Sequence, residues 1–96
     1  MTEGRHIWIS GRVQGVGYRW FACQAARARG ISGWVRNIAD GRVELFAQAT
    51  PALLDNLVEA LREGPPAARV ESVRWDPTSE ETVPTGNASN DFEIRP

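Results

Sequence analysis

The stretch from Gly11 to Arg19 constrains the fold of this chain more than any other part of its sequence. It follows a segment in which apolar residues alternate, it places Gly15 and Gly17 close together, and it leads into residues with helical periodicity. Glycine adopts positive φ at little steric cost and leaves space beside the backbone. The stretch therefore predicts a strand that ends in a tight loop before a helix. That loop is either a turn that needs glycine for its geometry or a cradle of N–H groups for an anion.

The arginine at the end of this loop favours a cradle that binds an anion. Arg19 supplies a fixed positive charge and a planar fork of donors that matches phosphate oxygens, next to the positive end of the helix that follows. The chain has no lysine, which excludes a Walker-type P-loop, and Trp20 stands where a dinucleotide-binding fingerprint has its third glycine. Phosphate binding by this loop would thus depend on backbone N–H groups and on Arg19.

Hydrophobic periodicity along the whole chain predicts a mixture of strands and helices. The predicted strands are 5–13, Ser32–Ile38, Arg42–Ala49, Val70–Trp75 and a short Phe92–Ile94, and the predicted helices are 20–29 and one that begins at Pro51 and ends at Gly64. The order β-α-β-β-α-β with a short last strand is typical of an α+β fold, the ferredoxin-like split βαβ sandwich, with one antiparallel sheet and two helices on one face. Residues 77–90, rich in Pro, Thr, Ser, Asn and Glu, predict a mobile loop.

Length and charge limit the classes of function. The 96 residues, 1–96, predict a single domain, and a formal net charge of −1 gives no general attraction to nucleic acid or anionic membranes. The amino-terminal residues contain no apolar signal region, and no apolar run approaches the length that spans a membrane. These features predict a monomeric cytoplasmic protein that binds neither nucleic acid nor membranes.

The single cysteine and the single histidine restrict the chemistry further. Cys23 has no second cysteine for an internal disulfide, and its position among the alanines of a predicted helix indicates a small buried apolar residue. His6 belongs to a predicted strand, and the chain offers neither a Ser-His-Asp set nor a cluster of metal ligands. The sequence therefore predicts a site without a metal ion, a cofactor or a covalent nucleophile.

Two segments together carry a family resemblance. Gly11–Arg19, with the sequence GRVQGVGYR, resembles the first signature of the acylphosphatase family, and Gly33–Val43, with the sequence GWVRNIADGRV, resembles its second signature. The likeness is good over roughly residues 5 to 75 and looser in the tail. The resemblance implies the same ferredoxin-like architecture. It also implies a hydrolase that cleaves small acyl phosphates to a carboxylate and inorganic phosphate.

The resemblance further implies roles for individual residues. The backbone N–H groups of one loop would bind the substrate, and they belong to Gln14, Gly15, Val16, Gly17, Tyr18 and Arg19. Arg19 would also stabilise the charge of the transition state, and Asn37 would orient the attacking water. In a split βαβ unit, the ends of the first two strands lie at the same edge of the sheet, about 10 Å apart. On its position alone, Asn37 is better explained as a polar residue that enters the Asp40–Gly41 turn, and it is the resemblance that favours the role in orienting water.

Two residues depart from the family pattern. Tyr18 occupies a position that is usually phenylalanine, and we expect its ring to pack with the hydroxyl at a wet edge. Ala49 replaces a usual glycine, so the third strand would end differently if that glycine served a bulge.

Three other functions are compatible with parts of the sequence. One is a module that binds an anion without turnover, and another is an RNA-binding sheet with the same order of elements. The third is a detached regulatory or maturation domain, on which the sequence gives no information. The segment Arg42–Ala47 lacks the aromatic pattern of such a sheet, and the four tryptophans are interpreted as packing residues.

Overall fold

The computed structural model describes residues 2–78 and 92–96. Its elements are β1 (Glu3–Arg12), α1 (Tyr18–Ala28), β2 (Ser32–Asn37), β3 (Val43–Ala49), α2 (Pro51–Glu63), β4 (Arg69–Thr78) and β5 (Phe92–Ile94). The predicted order of elements is confirmed. Most of the predicted loop 77–90 lies outside the described residues, and Pro77 and Thr78 continue β4 instead of beginning that loop.

The strands form one sheet in the order β4-β1-β3-β2-β5. β3 lies between β1 and β2 and pairs antiparallel with both, so β1 and β2 run in the same direction. β4 pairs antiparallel with β1, whereas β5 pairs parallel with β2. The ferredoxin-like α+β sandwich is thus confirmed, but the sheet is mixed and not wholly antiparallel as predicted, because β5 runs parallel to β2.

The apolar faces of the strands and of the two amphipathic helices pack together in one hydrophobic core. Ile7 and Ile9 of β1 are fully buried with Leu45 of β3, and they share one cluster with Leu54 and Leu57 of α2. In antiparallel pairs, residues opposite each other share a face, so the register Ile7–Leu45 keeps these apolar side chains together. One continuous apolar layer therefore fixes the strands from which the cleft described below is built.

Local signals define the second helix as the sequence predicts. The hydroxyl of Thr50 accepts a hydrogen bond from the backbone N–H of Leu53 at 3.4 Å, and Pro51 occupies the first turn. β3 runs regularly to Ala49, which pairs with Glu3, and among the described residues only glycines have positive φ. The absence of a glycine at Ala49 therefore does not introduce a bulge or shorten this strand.

Helix α1 holds the short strand β5 against the sheet. Arg27 donates from Nε and from a terminal nitrogen to the carbonyl oxygen of Phe92, at 3.2 and 2.9 Å. Cys23 is buried at 3% exposure, which confirms its predicted packing role, and its Sγ lies 3.5 Å from the same oxygen. In residues 2–78 and 92–96, neither helix is long and apolar enough to cross a membrane.

Candidate active site

A cleft of about 200 Å³ lies where β1 and β2 end and where α1 begins. It is lined by Val13, Gly15, Gly17, Tyr18, Arg19, Trp20, Asn37 and Ile94. The topology accounts for this convergence because the carboxyl ends of the two parallel strands meet at one edge of the sheet. The volume is smaller than the roughly 300 Å³ at which sites for drug-sized ligands begin, so the cleft suits a small substrate.

The loop between β1 and α1 contains two glycines in the left-handed conformation. Gly15 and Gly17 have φ of 77° and 79°, and a Cβ added to either would meet no atom within 4 Å. Glycine is therefore required by the left-handed conformation and not by crowding. Gly17 is also the N-cap of α1 and provides no side-chain cap, and the first turn contains no acidic residue. The first N–H groups of α1 thus lie beside the cleft without a carboxylate to compete for them.

Gln14 has a part in this loop that its sequence position does not reveal. Its side-chain Nε2 donates to the carbonyl oxygens of Ile38 and Arg42, at 2.8 and 2.9 Å. These two carbonyls flank the turn that follows Asn37, so the amide ties the glycine loop to the end of β2. Neither Gln14 nor Val16 lines the cleft, and Val16 packs against the core instead. Their expected contribution to substrate binding is therefore limited to their backbone N–H groups.

Arg19 lies half-buried at the cleft. One terminal nitrogen donates to the carbonyl oxygen of Arg95 at 2.9 Å, and the N–H of Arg95 donates to the carbonyl oxygen of Val35 at 2.8 Å. This is the one hydrogen bond that the guanidinium makes with the described part of the chain. The segment after β5 therefore holds one branch of the guanidinium, and the other donors have no hydrogen-bond partner among the described residues.

Asn37, the last residue of β2, contributes the second polar side chain to the lining. Its Oδ1 is buried and has no hydrogen-bond partner within residues 2–78 and 92–96. An unsatisfied buried acceptor costs about 1–3 kcal/mol unless a water molecule or a ligand supplies a donor. A turn residue would be expected to bond its own backbone, and Asp40 does this by accepting from the N–H of Arg42 at 3.0 Å.

The expectation that the Tyr18 hydroxyl lies at a wet edge is wrong. The side chain is 1% exposed, and its hydroxyl donates to the carbonyl oxygen of Leu61 at 2.6 Å. Leu61 lies in the last turn of α2, where carbonyl groups have no partner within the helix. Burial raises the pKa of Tyr18 above its usual range. The side chain therefore joins the two helices, and its hydroxyl is not available to a ligand.

Replacing Tyr18 by phenylalanine is expected to lower the free energy of unfolding by about 1–2 kcal/mol at neutral pH, because the Leu61 carbonyl loses its partner. In the wild type, unfolding releases the phenolic proton above about pH 10, so stability falls as the pH rises past that value. The variant lacks this loss. Denaturant unfolding at neutral pH and above about pH 10 measures both effects, and equal alkaline losses in the two proteins would contradict the assignment.

The remaining reactive side chains lie elsewhere. His6 contacts Glu44 at 2.7 Å and stacks on Trp8, whereas Cys23 is in the core, and neither lines the cleft. The described ranges contain no group of three or more His, Cys, Asp or Glu side chains arranged to hold a metal ion. Arg19 is the one charged side chain that lines the cleft in this part of the chain.

Comparison with known proteins gives a consistent result. A family model described as Acylphosphatase matches residues 5–94. An acylphosphatase from Koribacter versatilis is 48% identical over 81 residues, which cover 84% of this chain and 74% of that protein. The crystal structure of acylphosphatase from Bacillus subtilis has a TM-score of 0.86 and 34% identity and covers 99% of each chain. The structure of an acylphosphatase from Coxiella burnetii also has a TM-score of 0.86, with 35% identity and coverage of 98% of this chain and 93% of that chain.

Proposed function

The chain belongs to the acylphosphatase family, a family of hydrolases, and from that premise we propose how its own residues hydrolyse small acyl phosphates. The loop Gln14–Arg19 holds the phosphoryl group with its N–H groups, and the guanidinium of Arg19 binds the phosphoryl oxygens. Asn37 accepts a hydrogen bond from a water molecule and directs that water toward phosphorus. The products are a carboxylate and inorganic phosphate.

One observation supports this proposal more strongly than any other. The Oδ1 of Asn37 is buried without a partner in the described ranges, and it lies in the same cleft as the glycine loop and Arg19. A water that donates to this oxygen would remove the cost of the unsatisfied acceptor. In-line displacement would require this water to approach phosphorus from the side opposite to the leaving carboxylate.

The charges of the cleft suit a reaction without a metal ion. Phosphoryl transfer passes through a loose transition state, which needs positioning and positive charge more than a strong base. Arg19 and the amino-terminal end of α1 supply that positive charge. The leaving group is a carboxylate, which is weakly basic and leaves without protonation. A general acid is accordingly unnecessary.

Release of phosphate from acetyl phosphate in excess EDTA tests the proposal. We expect turnover by the wild-type protein that EDTA does not lower, with inorganic phosphate as a competitive inhibitor because product and substrate share the loop. Loss of turnover in EDTA would overturn the metal-independent mechanism. A folded protein that binds phosphate and releases none would instead be an anion-binding module.

A further inference from the structure

Two exposed apolar side chains stand at the mouth of the cleft. Trp20 is 64% exposed and Ile94 is 42% exposed, and both line the cleft. In the described ranges, Leu53 at 36% is the one other large apolar side chain with comparable exposure, and it lies outside the cleft. Exposed apolar surface is therefore concentrated where the substrate would enter.

These two side chains come from separate elements. Trp20 belongs to the first turn of α1, directly after Arg19, and Ile94 is the last residue of β5. Neither belongs to the core cluster or to the residues packed against it. The exposed part of their apolar surface is not covered by any residue that the structure describes, and it is available to a group that enters the cleft.

The position of the phosphoryl group determines which part of the substrate contacts Trp20 and Ile94. If the glycine loop and Arg19 hold the phosphoryl oxygens, the acyl group must project away from them, toward the mouth. The carboxylate of Glu93 is held by Arg95 at 2.8 Å, and neither side chain lines the cleft. Of the residues that the structure describes, an acyl group at the mouth thus meets a tryptophan ring, an isoleucine side chain and no charge apart from Arg19.

We propose that Trp20 and Ile94 form an acyl subsite, which makes acyl phosphates with an uncharged apolar acyl group larger than acetyl the preferred substrates. This inference rests on the proposed function and adds the substrate class to it. An aromatic or branched acyl group covers apolar surface that a single methyl group leaves in water, and such burial favours the larger substrate.

The test compares kcat/KM for benzoyl phosphate and acetyl phosphate in the wild type, Trp20→Ala and Trp20→Phe. For each variant, the change in kcat/KM for benzoyl phosphate is divided by the change in kcat/KM for acetyl phosphate. This ratio cancels the different intrinsic reactivities of the two substrates. We expect Trp20→Ala to lower kcat/KM for benzoyl phosphate about tenfold more than that for acetyl phosphate, and Trp20→Phe to retain most of the preference. Leu53→Ala, an exposed apolar residue outside the cleft, is the matched control and should leave the ratio unchanged.

The outcomes separate the subsite from the proposed function. The subsite would be overturned if Trp20→Ala changed kcat/KM equally for both substrates, or if Leu53→Ala changed the ratio as much as Trp20→Ala does. In either case, hydrolysis of acetyl phosphate by the wild type would still support the proposed function. Failure of the wild type to hydrolyse either substrate would overturn the function and the subsite with it. Because Trp20 is exposed, its replacement should leave the thermal midpoint near that of the wild type, which a melting curve checks.

Discussion

Replacing Asn37 by alanine is expected to lower kcat for acyl phosphate hydrolysis by about 10²–10⁴-fold, in the range seen when a group that positions or activates the attacking molecule is removed. Affinity for inorganic phosphate should stay near that of the wild type, because the glycine loop and Arg19 are unchanged. Stability should not fall. The variant loses a buried oxygen that has no partner in the described ranges, so the free energy of unfolding should rise or stay within about 1 kcal/mol.

Three measurements on the same protein make this prediction sharp: steady-state phosphate release, phosphate binding by calorimetry, and denaturant unfolding. Asn56→Ala is the matched control, since this exposed asparagine on α2 accepts a hydrogen bond from Arg29 at 2.7 Å and lies outside the cleft. It should keep full turnover. If Asn37→Ala instead loses stability and phosphate affinity together with turnover, Asn37 is a residue of the turn and not the one that orients water.

The fold was predictable because its signals are local and repeated. The alternation around Ile7 and Ile9 and the stripe of leucines in α2 are visible in sequence, and the sheet buries them together. The start of α2 was equally clear, since Thr50 and Pro51 act through residues close in the chain. The parallel pairing of β5 with β2 is harder to predict from the sequence. Three residues are too few to show a hydrophobic periodicity, and their attachment depends on contacts with Arg27 and Cys23.

The candidate site was predictable only in its outline. A glycine loop and two polar residues at one sheet edge follow from topology, and the structure places Arg19 and Asn37 in one cleft. The hydrogen bonds of Gln14 to Ile38 and Arg42 span 24 and 28 residues, and no spacing rule indicates them. The Tyr18 hydroxyl was misplaced for the same reason, because its partner Leu61 is 43 residues away. The single domain, the monomeric state and the roles of the site residues stay predictions.

Replacing Arg19 by alanine is expected to remove both phosphate binding and turnover, with kcat lowered by about 10³–10⁵-fold, as for other arginines that stabilise a transferring phosphoryl group. Lysine at this position keeps the charge but loses the planar fork, one branch of which donates to Arg95. Arg19→Lys should therefore recover part of the phosphate affinity and little of the turnover. Calorimetry with phosphate and steady-state kinetics at low ionic strength measure these two effects separately.

Arg27→Ala is the matched control for this prediction, because Arg27 is also on α1 and also donates to a carbonyl at β5, the oxygen of Phe92. It does not line the cleft. Removing it should cost about 1–3 kcal/mol of stability by loosening β5, while folded protein still binds phosphate. Equal losses of phosphate affinity in folded Arg19→Ala and Arg27→Ala would mean that both arginines act by holding β5. Loss of phosphate affinity in Arg19→Ala alone would assign the phosphoryl group to its guanidinium.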